Sequence, residues 1–220
     1  MFHAITPFTT LDYPDKLACI VWFSGCNMRC LYCYNAQIVE QKGTITKDDL
    51  FKFLNSRVGL LEGVVFSGGE CTLNKEFTSL AKDVSELGFS LKVDTNGSNP
   101  SVLKEAIDYI DYIALDFKAP KEKFSSITHS NLYDKFIETL EFLVDLDFPF
   151  EVRTTLHADL LDENDISNMA KTLESFGYKN SYYLQNFLDT GLNFGNLTEP
   201  KNSFDINKIN SNLKIELRNF

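Results

Sequence analysis

Leu17-Ala18-Cys19-Ile20-Val21-Trp22-Phe23 runs directly into Ser24-Gly25-Cys26-Asn27-Met28-Arg29-Cys30-Leu31-Tyr32-Cys33. The first part is a short apolar run rich in strand-forming residues, and the second is a loop with the spacing Cys-x3-Cys-x2-Cys. Reading outward, similar β-rich runs recur at Gly63–Phe66, Ser90–Val93, Tyr112–Leu115, Phe150–Leu156 and Ser181–Leu184. Helical spacing fills the intervals at Lys47–Arg57, Lys75–Leu87, Ser101–Ile107, Leu132–Leu146 and Glu163–Phe176. In the fourth of these, Phe136, Leu140, Leu143 and Val144 share one face, as a helix packed on a sheet requires.

Helix limits are legible. Thr46 with Asp49 three positions on forms a capping box, and Gly88 and Gly177 are suited to left-handed helix stops. Strand–helix alternation with short connections predicts an α/β fold with a parallel sheet and outer helices. Six such units are too few for a closed eight-stranded barrel, so the expectation is an open, partial (β/α)6 TIM-like barrel. After Phe187 the chain turns Asn-rich and polar, giving a C-terminal tail of about residues 188–220, with Leu213–Leu217 as a last short strand. No repeat or low-complexity tract divides the chain, and 1–220 reads as a single domain with its cysteine loop at 25–35.

The formal net charge is −10, which disfavours a phosphate backbone as partner, so nucleic acid is a poor candidate. No apolar run approaches the roughly 20 residues of a membrane span, and Met1–Thr10 lacks the pattern of a signal peptide. A cytoplasmic location without membrane partners is the expectation.

Of the five cysteines, Cys26, Cys30 and Cys33 crowd into eight residues. An odd number without an export signal argues against a disulfide framework and for metal ligation. The loop leaving the C-terminal end of a strand in such an array is where active sites collect. Three thiolates can hold three irons of a cubane and leave the fourth open to a small molecule, whereas an electron carrier uses four cysteines. A structural zinc site is the competing reading, with Cys71 or a histidine as fourth ligand, but no second Cys-x2-Cys knuckle is present. Cys19, inside the first strand, reads as a core thiol. His3, His129 and His157 show no ligand spacing and read as surface or partly packed residues. The acidic stretch Asp159–Asp165 reads as a solvated helix entrance.

Cys-x3-Cys-x-aromatic-Cys resembles the signature of the radical S-adenosylmethionine superfamily. The likeness implies a [4Fe–4S] cluster on Cys26, Cys30 and Cys33, with Tyr32 beside the adenine of S-adenosylmethionine. Ser67-Gly68-Gly69-Glu70 follows the second strand. Gly68 and Gly69 suit a backbone brought close to a ligand, and Glu70 offers an acceptor for a cation. By resemblance this is the motif for the methionyl amino group, although Gly-Gly-Glu alone is also an ordinary turn.

Asp94-Thr95-Asn96-Gly97 and Asp116-Phe117-Lys118 follow the third and fourth strands. Both can be plain turns, and both are similar to motifs of enzymes that activate glycyl-radical enzymes. That likeness pairs Lys118 with the cofactor carboxylate. It sets Asp94, Thr95 and Asp116 around it, with room for a monovalent cation. Arg153, a charge inside an apolar run, either lies in water on an edge strand or, by likeness, contacts the cofactor. Gln185 and Phe187 fall where the adenosyl end would be bordered.

Leu11-Asp12-Tyr13-Pro14 ahead of the cysteine loop, and Asn35 behind it, resemble the activating proteins of anaerobic ribonucleoside-triphosphate reductase. Relatives commonly have His after the third cysteine; this chain has Tyr34, and no role is transferred there. The resemblance implies one-electron cleavage of S-adenosylmethionine to a 5′-deoxyadenosyl radical, which takes hydrogen from a backbone glycine of a partner protein. Flavodoxin or ferredoxin would be the reductant, and no catalytic side chain beyond cluster and cofactor is implied. A glycyl-radical partner of the pyruvate formate-lyase type, or a small metabolite or RNA base as substrate, are the alternatives. The absence of further cysteines after Cys71 fits an enzyme with one cluster.

Overall fold

A computed structural model describes residues 1–219. The fold is mixed α/β with an open, unclosed sheet whose strands follow chain order. The residues group into two compact units. One holds Met1–Asn27, Gln37–Thr95 and Asn99–Ala114; the other holds Met28–Ala36, Asn96–Ser98 and Leu115 onward.

In the first unit β1 (Phe2–Thr9) pairs antiparallel with β2 (Ala18–Phe23). A short α1 (Ala36–Glu40) and α2 (Lys47–Asn55) precede β3 (Gly63–Gly68), and α3 (Phe77–Glu86) precedes β4 (Ser90–Thr95). β2 and β3 pair parallel in register Ala18↔Gly63 to Phe23↔Gly68, and β3 and β4 pair parallel from Gly63↔Ser90. α4 (Pro100–Ala106) then leads to β5 (Tyr112–Asp116), which carries the chain toward the second unit. The anticipated capping box of α2 is formed: Thr46 Oγ1 accepts from the Asp49 amide at 3.1 Å, and Asp49 Oδ2 accepts from the Thr46 amide at 3.1 Å. Phe66 is fully buried, edge-on to Phe23 at 5.0 Å, and each such phenyl contributes about 1.5–3 kcal/mol of burial. Cys19 is wholly buried, and burial pushes its thiol up to about 12, as a core cysteine should behave.

The second unit contains α5 (Lys121–Thr128), α6 (Tyr133–Asp145), β6 (Phe150–Leu156), α7 (Glu163–Ser175), β7 (Tyr182–Asn186) and β8 (Ile215–Arg218). β6–β7 and β7–β8 are parallel. Phe136, Leu140 and Leu143 of α6 are fully buried, as their shared face requires, and Phe136 stacks on Phe117 at 4.4 Å. Gly88 and Gly177 end α3 and α7 with φ of 86° each. The tail lies along α7. Asp159 carboxylate oxygens accept from the amides of Lys201 and Asn202, Glu163 from Asp205, and Glu174 from Asn212. It ends in β8, where Arg218 forms two hydrogen bonds, 2.9 and 2.7 Å, to buried Glu151. The acidic stretch at 159–165 is therefore more than a solvated entrance. Asp162 caps α7, and Asp159 and Glu163 hold the tail. Among the described residues no helix is long and apolar enough to cross a membrane.

Candidate functional site

Most side chains singled out from sequence fall at or just after the C-terminal ends of strands, the cysteine loop after β2, Glu70 after β3, Asp94 and Thr95 in β4 and Asp116 in β5, whereas Arg153 lies within β6. In the first unit β2 ends at Phe23, and the chain turns through Gly25 into Cys26, which is partly exposed. The end of β3 is tied to this turn by backbone hydrogen bonds. Gly69 N donates to Phe23 O and Glu70 N to Gly25 O, both at 2.8 Å. A Cβ on Gly69 would stand 1.8 Å from Gly25 O, and one on Gly68 2.6 Å from Phe23 N and O. Gly68 and Gly69 thus have a packing requirement of their own, set by the segment that presents Cys26. No local sequence signal announced it.

Glu70 is 1% exposed. Its Oε1 accepts from Thr72 Oγ1 at 2.6 Å, Thr95 Oγ1 at 2.8 Å and the Thr72 amide at 3.2 Å. A carboxylate with this many donors is held in one rotamer. Thr72 in turn receives a hydrogen bond from Asn99 Nδ2 at 3.0 Å. Asp94 accepts from Ser67 Oγ at 2.9 Å and pairs with Lys92 Nζ at 2.5 Å. Lys92 is 2% exposed and was not singled out from sequence. The signal existed: a lysine between Leu91 and Val93, two residues before Asp94, shares its strand face and needs a counter-charge. Cys71 is fully buried and its thiol donates to Asp94 O at 3.4 Å. Burial, then Glu70 and Asp94, push that thiol well above its ordinary range.

In the second unit the rest of the cysteine loop is held by α5. Arg29 N donates to Thr128 O at 2.8 Å, Leu31 N to Ile127 O at 2.9 Å, and Cys33 N closes a turn onto Cys30 O at 2.9 Å. Cys30 is buried and Cys33 partly so. Burial pushes the Cys33 thiol up, with Lys118 and Arg29 pulling against it. Tyr32 is buried, and its hydroxyl donates to Lys118 O at 2.9 Å.

Asp116 sits between two cations. Its Oδ1 accepts from Arg153 Nε at 3.0 Å and Nη2 at 2.9 Å, and its Oδ2 pairs with Lys118 Nζ at 3.0 Å. Burial alone would lower the Lys118 ammonium, but Asp116, then Tyr32 and Cys30, outweigh it and hold the lysine well above its ordinary value. Two cationic side chains gathered on one carboxylate suit the group to carboxylate recognition. The edge-strand reading of Arg153 is overturned. β6 pairs with β7 at Arg153↔Tyr183, Arg153 O accepts from Phe117 N at 2.8 Å, and the side chain is 12% exposed.

Asp116→Ala would leave Arg153 and Lys118 facing one another. The expected cost is about 2 kcal/mol, below the ~3–5 kcal/mol of a fully buried pair because these side chains retain some solvent. Denaturant titration of the metal-free protein reads it, and an unchanged midpoint would contradict the clamp.

Asn96 Oδ1 accepts from Ser98 N at 3.0 Å, the turn anticipated there. His157 departs from expectation: it is 1% exposed, 2.9 Å from Thr198 O through Nε2 and edge-on to Phe187 at 4.8 Å. His129 is exposed at the left-handed end of α5, and Tyr34 is 48% exposed. Among the described residues no three His, Cys, Asp or Glu side chains form a ready metal-holding set. The ligand assignment therefore rests on spacing and donor chemistry. That chemistry fits a cubane: three cysteines on one loop, none in a disulfide, a ligand type that selects iron–sulfur clusters.

A family description, Radical SAM superfamily, matches residues 20–175. The chain is 31% identical over 214 residues to MJ1227 of Methanocaldococcus jannaschii, named as a glycyl-radical enzyme activating enzyme, covering 93% of this chain and 82% of that one. It is 32% identical over 143 residues to the pyruvate formate-lyase 1-activating enzyme of Escherichia coli K12, covering 59% of this chain and 55% of that one. The fold is similar to that of Streptococcus suis SuiB bound to S-adenosylmethionine, with a TM-score of 0.66 at 13% identity over 90% of this chain and 51% of SuiB. The chain thus spans about half the length of the latter two.

Proposed function

The chain belongs to the radical S-adenosylmethionine superfamily, whose members use a [4Fe–4S] cluster and S-adenosylmethionine, and on that premise we propose that it activates a glycyl-radical enzyme. The observation carrying this reading is the 31% identity to MJ1227 across nearly the whole chain. Cys26, Cys30 and Cys33 are the cluster ligands in this proposal. Bound there, cluster and cofactor would supply one-electron reductive chemistry.

The chain's own residues bind and orient. Glu70, fixed by Thr72 and Thr95, receives the methionyl ammonium. The Arg153–Asp116–Lys118 group, through its two cationic side chains, receives the methionyl carboxylate, a charge-assisted contact. By the same likeness, Asp94 and Thr95 would help hold the cofactor, alone or through a monovalent cation, and Tyr32 would serve its adenine. Positioning and exclusion of water are the protein's contribution, with no acid–base side chain required. Flavodoxin or ferredoxin supplies the electron.

The partner assigned here is anaerobic ribonucleotide reductase, on the Leu11–Pro14 and Asn35 likeness. Pyruvate formate-lyase is the second reading, favoured by the E. coli relative. Anaerobically reconstituted protein with dithionite should release 5′-deoxyadenosine from S-adenosylmethionine. Mixed with the reductase, it should give a glycyl-radical doublet in electron paramagnetic resonance. Cleavage with a doublet only on a pyruvate formate-lyase moves the assignment to that partner. No cleavage by cluster-loaded protein refutes the enzyme reading.

A further inference from the structure

The C-terminal tail touches the cysteine loop, and that contact has no part in the function so far described. Gly195 N donates to Leu31 O at 2.8 Å, between Cys30 and Cys33 in sequence. The Arg29 guanidinium lies over the Phe194 ring, 5.5 Å from its centroid. The segment making these contacts is itself built. Asn193 closes it with two hydrogen bonds to Leu197, Oδ1 from the amide at 2.7 Å and Nδ2 to the carbonyl at 2.8 Å. Thr198 O accepts from buried His157 at 2.9 Å. His157 Nδ1 accepts from Asp159 N at 3.3 Å, so the ring carries its proton on Nε2 and points it at the tail. Downstream, Asp159, Glu163 and Glu174 hold the tail on α7, and Arg218 fixes its end on Glu151.

Seen from the loop, Leu31 is held on both polar groups: its amide by Ile127 O of α5, its carbonyl by Gly195 of the tail. Gly195 is where contact is tightest. A Cβ there would stand 2.9 Å from Leu31 Cβ and 3.0 Å from Leu31 O, and the second of these is backbone that cannot swing away.

We infer that Asn193–Thr198 is a brace for the cysteine loop, with Gly195 and Phe194 as positioning residues that fix the backbone carrying Cys30 and Cys33. Partners that orient metal ligands from behind tune how firmly the metal is kept. The inference rests on the three-cysteine reading of the loop, but its structural half stands without a metal.

Two measurements test it. In metal-free protein, hydrogen exchange of the peptide covering residues 28–33 should quicken in Gly195→Ala and Phe194→Ala, and Phe194→Tyr should restore the wild-type rate. In cluster-loaded protein, chelator stripping of iron should be about 10-fold faster in the two disruptive variants, again restored by Phe194→Tyr. A tail of merely structural importance would lower the melting temperature without this loop-specific pattern. Wild-type exchange and stripping rates in both disruptive variants overturn the brace. If Gly195→Ala does not fold, the Phe194 pair decides alone. If the wild-type chain takes up no cluster, the cysteine reading fails and the exchange experiment still decides the brace.

Discussion

Replacing any one of Cys26, Cys30 or Cys33 by alanine is expected to remove the iron–sulfur absorbance and all release of 5′-deoxyadenosine, while Cys19→Ala and Cys71→Ala keep both. The three loop thiols are the ligand inventory, and with one gone a second iron loses its protein ligand. The two remaining cysteines are disqualified on separate grounds. Cys19 is fully buried inside β2, before that strand reaches the loop. Cys71 is equally buried and engaged with Asp94 O. This also weakens the zinc reading, which needed Cys71 or a histidine as fourth ligand. To serve as a ligand, Cys71 would have to give up its hydrogen bond to Asp94 O from a fully buried position. Elemental analysis with Mössbauer spectra checks the expectation. A single cysteine variant that retains a full cubane, or wild-type protein that holds only zinc, would sink it.

What could be read from the sequence divides along physical lines. The strands β2 to β7 are legible because their apolar runs are dense and bounded by turn chemistry. α2, α6 and α7 are legible because caps and a one-sided apolar face agree. β1 is not, because Pro7 interrupts it. The strand tolerates this through register shifts between Phe2 and Ala4 and between Thr6 and Thr9, the kind of irregularity proline accepts at an edge. α5 is missed because its few buried residues, chiefly Phe124 and Ile127, leave a faint stripe among Ser and Lys.

The site follows the same division. Arg153 stands out by the cost of a charge in an apolar run, and the structure supplies the neutralising Asp116. Lys92 obeys the same logic and pairs with Asp94, yet one lysine in a six-residue strand is easily taken for an exposed position. Contacts between segments far apart in sequence leave no local trace at all. Gly195 against Leu31, and the tail amides on the α7 carboxylates, are of this kind.

Gly69 is the position where such a hidden contact should have the largest effect after the cysteines. Gly69→Ala places a methyl group where Gly25 O already stands, 1.8 Å away, and both partners are backbone. Relief requires the end of β3 to move from the Cys26 turn, breaking the Gly69–Phe23 and Glu70–Gly25 hydrogen bonds. At about 1 kcal/mol for each bond the loss of stability is at least about 2 kcal/mol. Displacement of Cys26 and Glu70 together should cut iron uptake and S-adenosylmethionine affinity by about 10-fold or more. Gly59→Ala is the matched control. Gly59 has φ of 77° but nothing within 4 Å of a new Cβ, so only the backbone penalty of about 1 kcal/mol applies and cluster content should be normal. The two variants separate strain in general from displacement of this turn. Equal iron content in both would mean that the β3 end does not set the position of Cys26, and the glycine pair would then be left with ligand approach as its sole reason.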